Sequence, residues 1–228
     1  MAQLGATLAK SAYTPFTYTF TIYEDRRPGS GPRKADLTRP AGAEAAMPAD
    51  AFQGRAGEPV AVAGGPIFIP LSLLATAPDE SVFAFQLAHA MAHIALRHAT
   101  RQATRMDLMG IDASSGAQNT AITDVRLPAN STGTIPLGWI QFSRAFERQA
   151  DYVALRIVSQ ASYSPESMAA YLGGQAAPEK TKSRFSAHPT PAERSKAIRA
   201  KFQSLPAATY TAATGSFAEA SAIAASVR

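Results

Sequence analysis

Apolar and polar positions alternate most clearly in residues 13–23, YTPFTYTFTIY, where aromatic and β-branched residues interleave with threonines and predict a strand. From Glu24 to Glu58 the pattern dissolves into Gly, Pro, Ala and charged residues without a sustained period, which predicts loop with at most short elements. PVAVAGGPIFIP, from residue 59, then predicts two short strands turned at Gly64 and Gly65, the second being Ile67, Phe68 and Ile69. Pro66 and Pro70 flank that strand, and because proline donates no backbone hydrogen bond they suit an edge strand better than a central one.

The period changes to helical at SLLATA, and a second helix is predicted to start near Pro78, Asp79 and Glu80, whose carboxylates suit a helix N-terminus. Val82, Phe85, Leu87, Ala88, Met91, Ala92, Ile94 and Ala95 make this helix apolar over most of its circumference as far as Arg97, so it should be buried together with its histidines. Residues 110–135 are rich in Gly, Ser and Asn and predict a loop. Further helices are expected over 141–160, ended by SYSP, and over 165–172, and HPTPAERSKAIRAKFQ reads as a turn opening a basic helix. Beyond Pro206 the Ala-, Ser- and Thr-rich tail predicts a weakly packed helix or a frayed end. The sum is an α+β chain, mainly helical with a small sheet, in one domain over 1–205 followed by a tail over 206–228.

Composition adds mainly exclusions. An apolar fraction of 46% and a charged fraction of 17% are ordinary for a globular chain. The net charge of +5 is spread out, and its densest run, RRPGSGPRK over 26–34, carries Gly and Pro and no nucleic-acid reading motif, so no nucleic-acid partner is expected. Without cysteine there are no disulfides and no thiolate metal ligands. The N-terminus has no apolar core of signal-peptide length, and the longest apolar run, from residue 59, is cut by glycines and prolines, so neither a secretory signal nor a membrane span is expected. Oligomeric state is left open.

The chemistry concentrates in QLAHAMAHIALRH, residues 86–98. His89 and His93 are four apart, which on a helix places them one above the other and able to aim at a common point. A zinc site of this kind takes a third protein ligand, often a carboxylate from another helix, and FERQAD supplies Glu147 with Asp151 one turn later. The first carboxylate of such a pair can bind the metal while the second accepts a ring N–H from a ligand histidine. Taken singly, the histidines suit a core satisfied by hydrogen bonds and Glu147 a solvated charge. Their conjunction favours a metal, because burying them without one, or without dense hydrogen bonding, is costly.

Four segments in order, AGGPIFIPLSLL, DESVFAFQLAHAMAHIALRH, FERQADYVAL and SAHPTPAERSKAI, resemble the HtpX-like, Ste-type gluzincin metallopeptidases, the family that includes the CAAX prenyl proteases. The resemblance runs from about Tyr13 to Phe202 and implies a zincin-like domain whose small sheet sets an edge strand beside the metal helix. It implies Zn2+ held by His89, His93 and Glu147, with Asp151 as the partner behind a ligand histidine. His188 takes the place of the family's late histidine, as a transition-state donor or an inhibitory ligand, and Arg194 follows it, best read as a salt-bridge partner of Asp151. Ile67, Phe68 and Ile69 match the edge that binds an extended peptide or unfolded protein segment by strand addition. His98, just past the buried stretch, is expected at the surface. The family's setting implies a bacterial cell envelope or periplasm.

The chain departs from that pattern at the reacting group. The family's helix reads His-Glu-x-x-His, and its glutamate takes a proton from the attacking water and passes it to the leaving amine. Position 90 here is alanine. Glu80 lies nine residues before His89, roughly 14 Å along the helix axis, and is too far to substitute. Three readings follow. The leading one is a zinc-binding metalloendopeptidase-like protein that is catalytically impaired. The alternatives are an active endopeptidase, with Ala90 an introduced change or another group as base, and a metal-free interaction domain in which the same side chains bond one another.

Overall fold

The computed structural model describes residues 2–24, 57–108, 137–175, 188–206, 208–210 and 214–227. The expected loop of 110–135, the basic run of 26–34 and most of the expected loop before Glu58 lie outside these residues. The described elements are α1 (Ala2–Ala12), β1 (Thr19–Tyr23), β2 (Val60–Ala61), β3 (Pro66–Pro70), α2 (Leu71–Thr76), α3 (Glu80–Ala95), α4 (His98–Leu108), α5 (Leu137–Gln160), α6 (Pro165–Gly174), α7 (Pro191–Phe202) and α8 (Gly215–Val227). The α+β reading therefore holds: helices dominate, with one small sheet.

Helix α3 is the axis of the molecule. Asp79 caps its N-terminus by accepting from the Val82 N–H at 2.8 Å. Of residues 80–94, His89 alone is not fully buried. Phe83, Phe85, Leu87 and Met91 are wholly covered, and α5, α6, α1 and β2 all pack around the helix. Burial of each large apolar side chain stabilises by roughly 1.5–3 kcal/mol. The helix ends at Leu96, where Arg97 adopts a left-handed φ of 54° and turns the chain directly into α4.

The sheet corrects one expectation. Its order is β1-β3-β2, with β1 parallel and β2 antiparallel to β3. β3 is therefore the middle strand, and among the described residues Ile67 and Phe68 are paired on both sides, while Ile69 is paired with β1. Pro66 and Pro70 fit there because they occupy the strand's two ends, where a missing N–H interrupts the ladder least. The strand predicted over 13–23 is also shorter than expected, beginning at Thr19.

Two terminal helices carry more than their sequences announce. In α1, Leu4, Gly5 and Leu8 are buried, and Gly5 sits so close to the Phe20 ring that an added Cβ would come within 2.7 Å of it. Helix α8 is docked, not frayed. Phe217 and Ala224 are buried, the Phe217 ring lies 5.6 Å from that of Phe83, and Thr214 donates from both its backbone N–H and its hydroxyl to Glu80 Oε2, at 2.6 and 2.8 Å. The other Glu80 oxygen accepts from the Tyr163 hydroxyl at 3.0 Å. Among the described residues, no helix is long and apolar enough to cross a membrane.

The turn between β2 and β3 offers a test of this frame. Gly65 has φ +134°, and a Cβ on it would collide with the Thr17 carbonyl oxygen of the segment leading into β1. Gly65→Ala should lower unfolding stability by at least about 1–3 kcal/mol, read as a fall in the urea midpoint. A midpoint unchanged from the parent would mean that the turn is not built as described.

Candidate metal centre

The predicted pair is made. His89 Nε2 and His93 Nε2 are 3.1 Å apart, and Glu147 reaches across from α5 with Oε2 3.4 Å from the first and Oε1 3.5 Å from the second. Ligand atoms from the three residues all lie within 4.8 Å of one another. Four-coordinate zinc with bonds near 2.05 Å spaces its ligand atoms about 3.3 Å apart, so the two imidazole nitrogens stand near that spacing, with a Glu147 oxygen close to each. The donor set, two imidazoles and a carboxylate, is one that zinc accepts.

The surroundings hold these groups in place. Asp151, one turn beyond Glu147 on α5, lies with Oδ1 2.9 Å from His89 Nδ1. Arg194 of α7 grips the same carboxylate in a two-pronged pair, Nη2 to Oδ1 at 2.7 Å and Nε to Oδ2 at 2.9 Å, with both side chains buried. Arg194 thus pairs with Asp151. His188 brings Nδ1 to 3.6 Å from Glu147 Oε1. It reaches that position because α7 opens with a reciprocal cap, in which Thr190 and Glu193 bond each other's backbone N–H. Arg144 of α5 also donates to both Glu193 carboxylate oxygens and to the His188 carbonyl.

Electrostatics follows from burial and pairing. Burial favours a neutral His89, but contacts with Asp151 and Glu147 outweigh it and raise the ring's pKa to about 9. His93, without such a carboxylate behind it, is pushed well below the usual range, first by burial. Burial would raise the two acids, yet His188 and His89 hold Glu147 well below the usual carboxylate value, and Arg194 and His89 hold Asp151 down to about 2.

His98 is where the structure overturns the sequence. Expected at the surface, it is 0% exposed. The left-handed turn at Arg97 folds α4 back against α5, so that the His98 ring stacks on Phe146 with centroids 4.0 Å apart and lies beside His93. Burial lowers its pKa to about 4, so the ring is neutral at physiological pH. Gln149, Arg144 and Gln86 are further contributors that the motif gave no reason to single out. Gln86, one turn before Ala90 on α3, lines a cavity of about 190 Å³ together with Gly57, Glu58, His89, Tyr171 and Arg194. Ala90 itself is 1% exposed and packed in the apolar core.

The sequence model of peptidase family M48 matches residues 43–201, a span that contains the histidine pair, Glu147, Asp151, His188 and Arg194. No curated protein matches the chain.

Arg194→Met leaves the Asp151 carboxylate buried without its guanidinium partner and should destabilise the protein by about 3–5 kcal/mol, whereas Arg194→Met with Asp151→Leu should recover much of the loss. Denaturant unfolding of the two variants reads both effects. The Asp151 contribution has a sign in pH. Because its carboxyl is lowered from 3.8 to about 2, it stabilises fully above pH 3.8 and is lost as pH falls through about 2. The double variant should lack that acid-dependent component.

Proposed function

The chain belongs to peptidase family M48, and we propose that it is a zinc-binding relative of the HtpX-like endopeptidases that holds an extended peptide or unfolded segment but is impaired in cutting it. The observation that carries the proposal is the convergence of His89 and His93 of α3 with Glu147 of α5, ligand atoms within 4.8 Å of one another, beside an alanine at position 90. Zinc, when bound, would polarise a peptide carbonyl and acidify a water. His89, His93 and Glu147 would hold it, Asp151 and Arg194 would fix His89, and His188 would stand beside Glu147 as a donor to the developing oxyanion or as a restraining ligand.

A metal does not accept and return the proton that the leaving amine needs. Removing a positioned general acid–base costs about 10²- to 10⁴-fold. Glu147 and Asp151, the carboxylates at the centre, are both engaged: Glu147 faces both histidines, and Asp151 is held by Arg194 and His89. Glu80 is bonded to Tyr163 and Thr214 at the far end of α3. The peptide would lie along the β2 side of the sheet, where Gly57, Glu58 and Pro59 share a cavity with His89, and one of its side chains would enter beside Gln86.

One observation favours a second reading, an active endopeptidase. Glu58 lines the same cavity as His89 and is a carboxylate on the cleft side. In that reading it serves as the base that Ala90 does not provide.

Casein cleavage by the parent, Ala90→Glu, Ala90→Gln and Glu58→Gln separates the readings. The proposal expects a nearly silent parent, a gain of about 10²- to 10⁴-fold in Ala90→Glu that a chelator abolishes, and no gain in Ala90→Gln, which adds the bulk without the charge. Strong cleavage by the parent that Glu58→Gln removes would replace the proposal with the second reading.

A further inference from the structure

His93 turns Nε2 toward Glu147 and His89, and Nδ1 toward His98, whose own Nδ1 is 3.0 Å away. Two imidazole nitrogens can share only one proton, so one must donate and the other accept. The far side of His98 decides which. Its Nε2 lies 3.2 Å from Gln149 Oε1, and the same oxygen accepts from Arg101 Nη1 at 3.4 Å. Arginine has donors only, so the amide atom between Arg101 and His98 is the oxygen, and that oxygen can only accept. His98 therefore carries a proton on Nε2, and a second on Nδ1 would set a buried cation beside Arg101. Its Nδ1 is left with a lone pair, and His93 Nδ1 must be the donor. His93 Nε2 is thereby left with its lone pair directed at the point shared with His89 and Glu147.

From these assignments we infer that His98 is a positioning residue of the metal centre: a histidine, oriented by Gln149 and Arg101, that accepts from His93 Nδ1 and so fixes the tautomer and ring plane of His93 with Nε2 as the ligand atom. The inference rests on the reading of His89, His93 and Glu147 as metal ligands. A ligand histidine ordinarily donates its other N–H to a carboxylate, a backbone carbonyl or water. Here the two ligand histidines differ, His89 backed by the Asp151–Arg194 ion pair and His93 by an uncharged ring. A second carboxylate behind His93 would add a buried negative charge beside Glu147 and Asp151, and a histidine accepts the same proton without it. The stack on Phe146, with 11° between ring planes, keeps His98 from swinging away.

The test joins a structural and a binding measurement. Ring-nitrogen NMR of the metal-free protein should find the proton of His93 on Nδ1 and that of His98 on Nε2. Zinc affinity, measured by competition with a chromophoric chelator, should fall about 10- to 100-fold in His98→Phe, which keeps the bulk and the stack but has no acceptor. His98→Asn, which can offer its carbonyl oxygen close to the place of Nδ1, should recover most of that loss, although it loses the stack and melts lower than His98→Phe. A His93 proton on Nε2, a His98→Phe variant that binds zinc as the parent does, or equal losses in both variants would overturn the inference. A parent that binds no zinc would contradict the metal reading itself, and the tautomers would then decide the role of His98 on their own.

Discussion

Everything in this molecule is arranged around one costly act, the burial of two carboxylates, two imidazoles and a guanidinium between α3, α5 and α7. Isolated charges in such a place would each cost several kcal/mol or neutralise themselves. They persist because each is answered: Arg194 meets Asp151 on both oxygens, Asp151 meets His89, and Glu147 meets both histidines. Removing one member of a pair leaves its partner buried and unanswered, which makes the packing of α3 against α5 specific as well as apolar.

Precision at the centre comes from the ends of the helices. Asp79 starts α3, and the left-handed residue Arg97 stops it and sends α4 back along α5. Glu80 ties the same N-terminus to Tyr163 and to Thr214, so the C-terminal helix helps to hold the helix that carries the histidines. The reciprocal Thr190–Glu193 cap, gripped by Arg144, sets α7 so that Arg194 and His188 arrive together. Small backbone devices thus decide whether side chains some distance away meet at about 3 Å.

The centre was legible in the sequence because helical spacing is a local rule. His89 and His93, and Glu147 and Asp151, are each four apart, and an α-helix converts that spacing into a shared face. The helices themselves were legible through their apolar faces. What escaped was decided by tertiary position. His98 read as exposed because it follows Arg97 at the close of the apolar run, yet a single left-handed residue carried it under Phe146. The prolines around Ile67 argued for an edge, yet the two-residue strand β2, pairing from Val60 and Ala61, was enough to make that strand the middle one. Helix α1 escaped, held through Gly5 against Phe20, and for the tail the choice between a weakly packed helix and a frayed end was decided by contacts with Phe83 and Glu80 that no local pattern encodes.

The proposed function requires His89, His93 and Glu147 to hold a metal ion in a protein whose position 90 is alanine. Elemental mass spectrometry on protein purified without added zinc, with His93→Ala in parallel, tests it most directly. Near one zinc per chain in the parent, and little in the variant, is the expected result. No zinc in the parent even after zinc is supplied would contradict the account and leave the cluster as a self-bonded core of the fold.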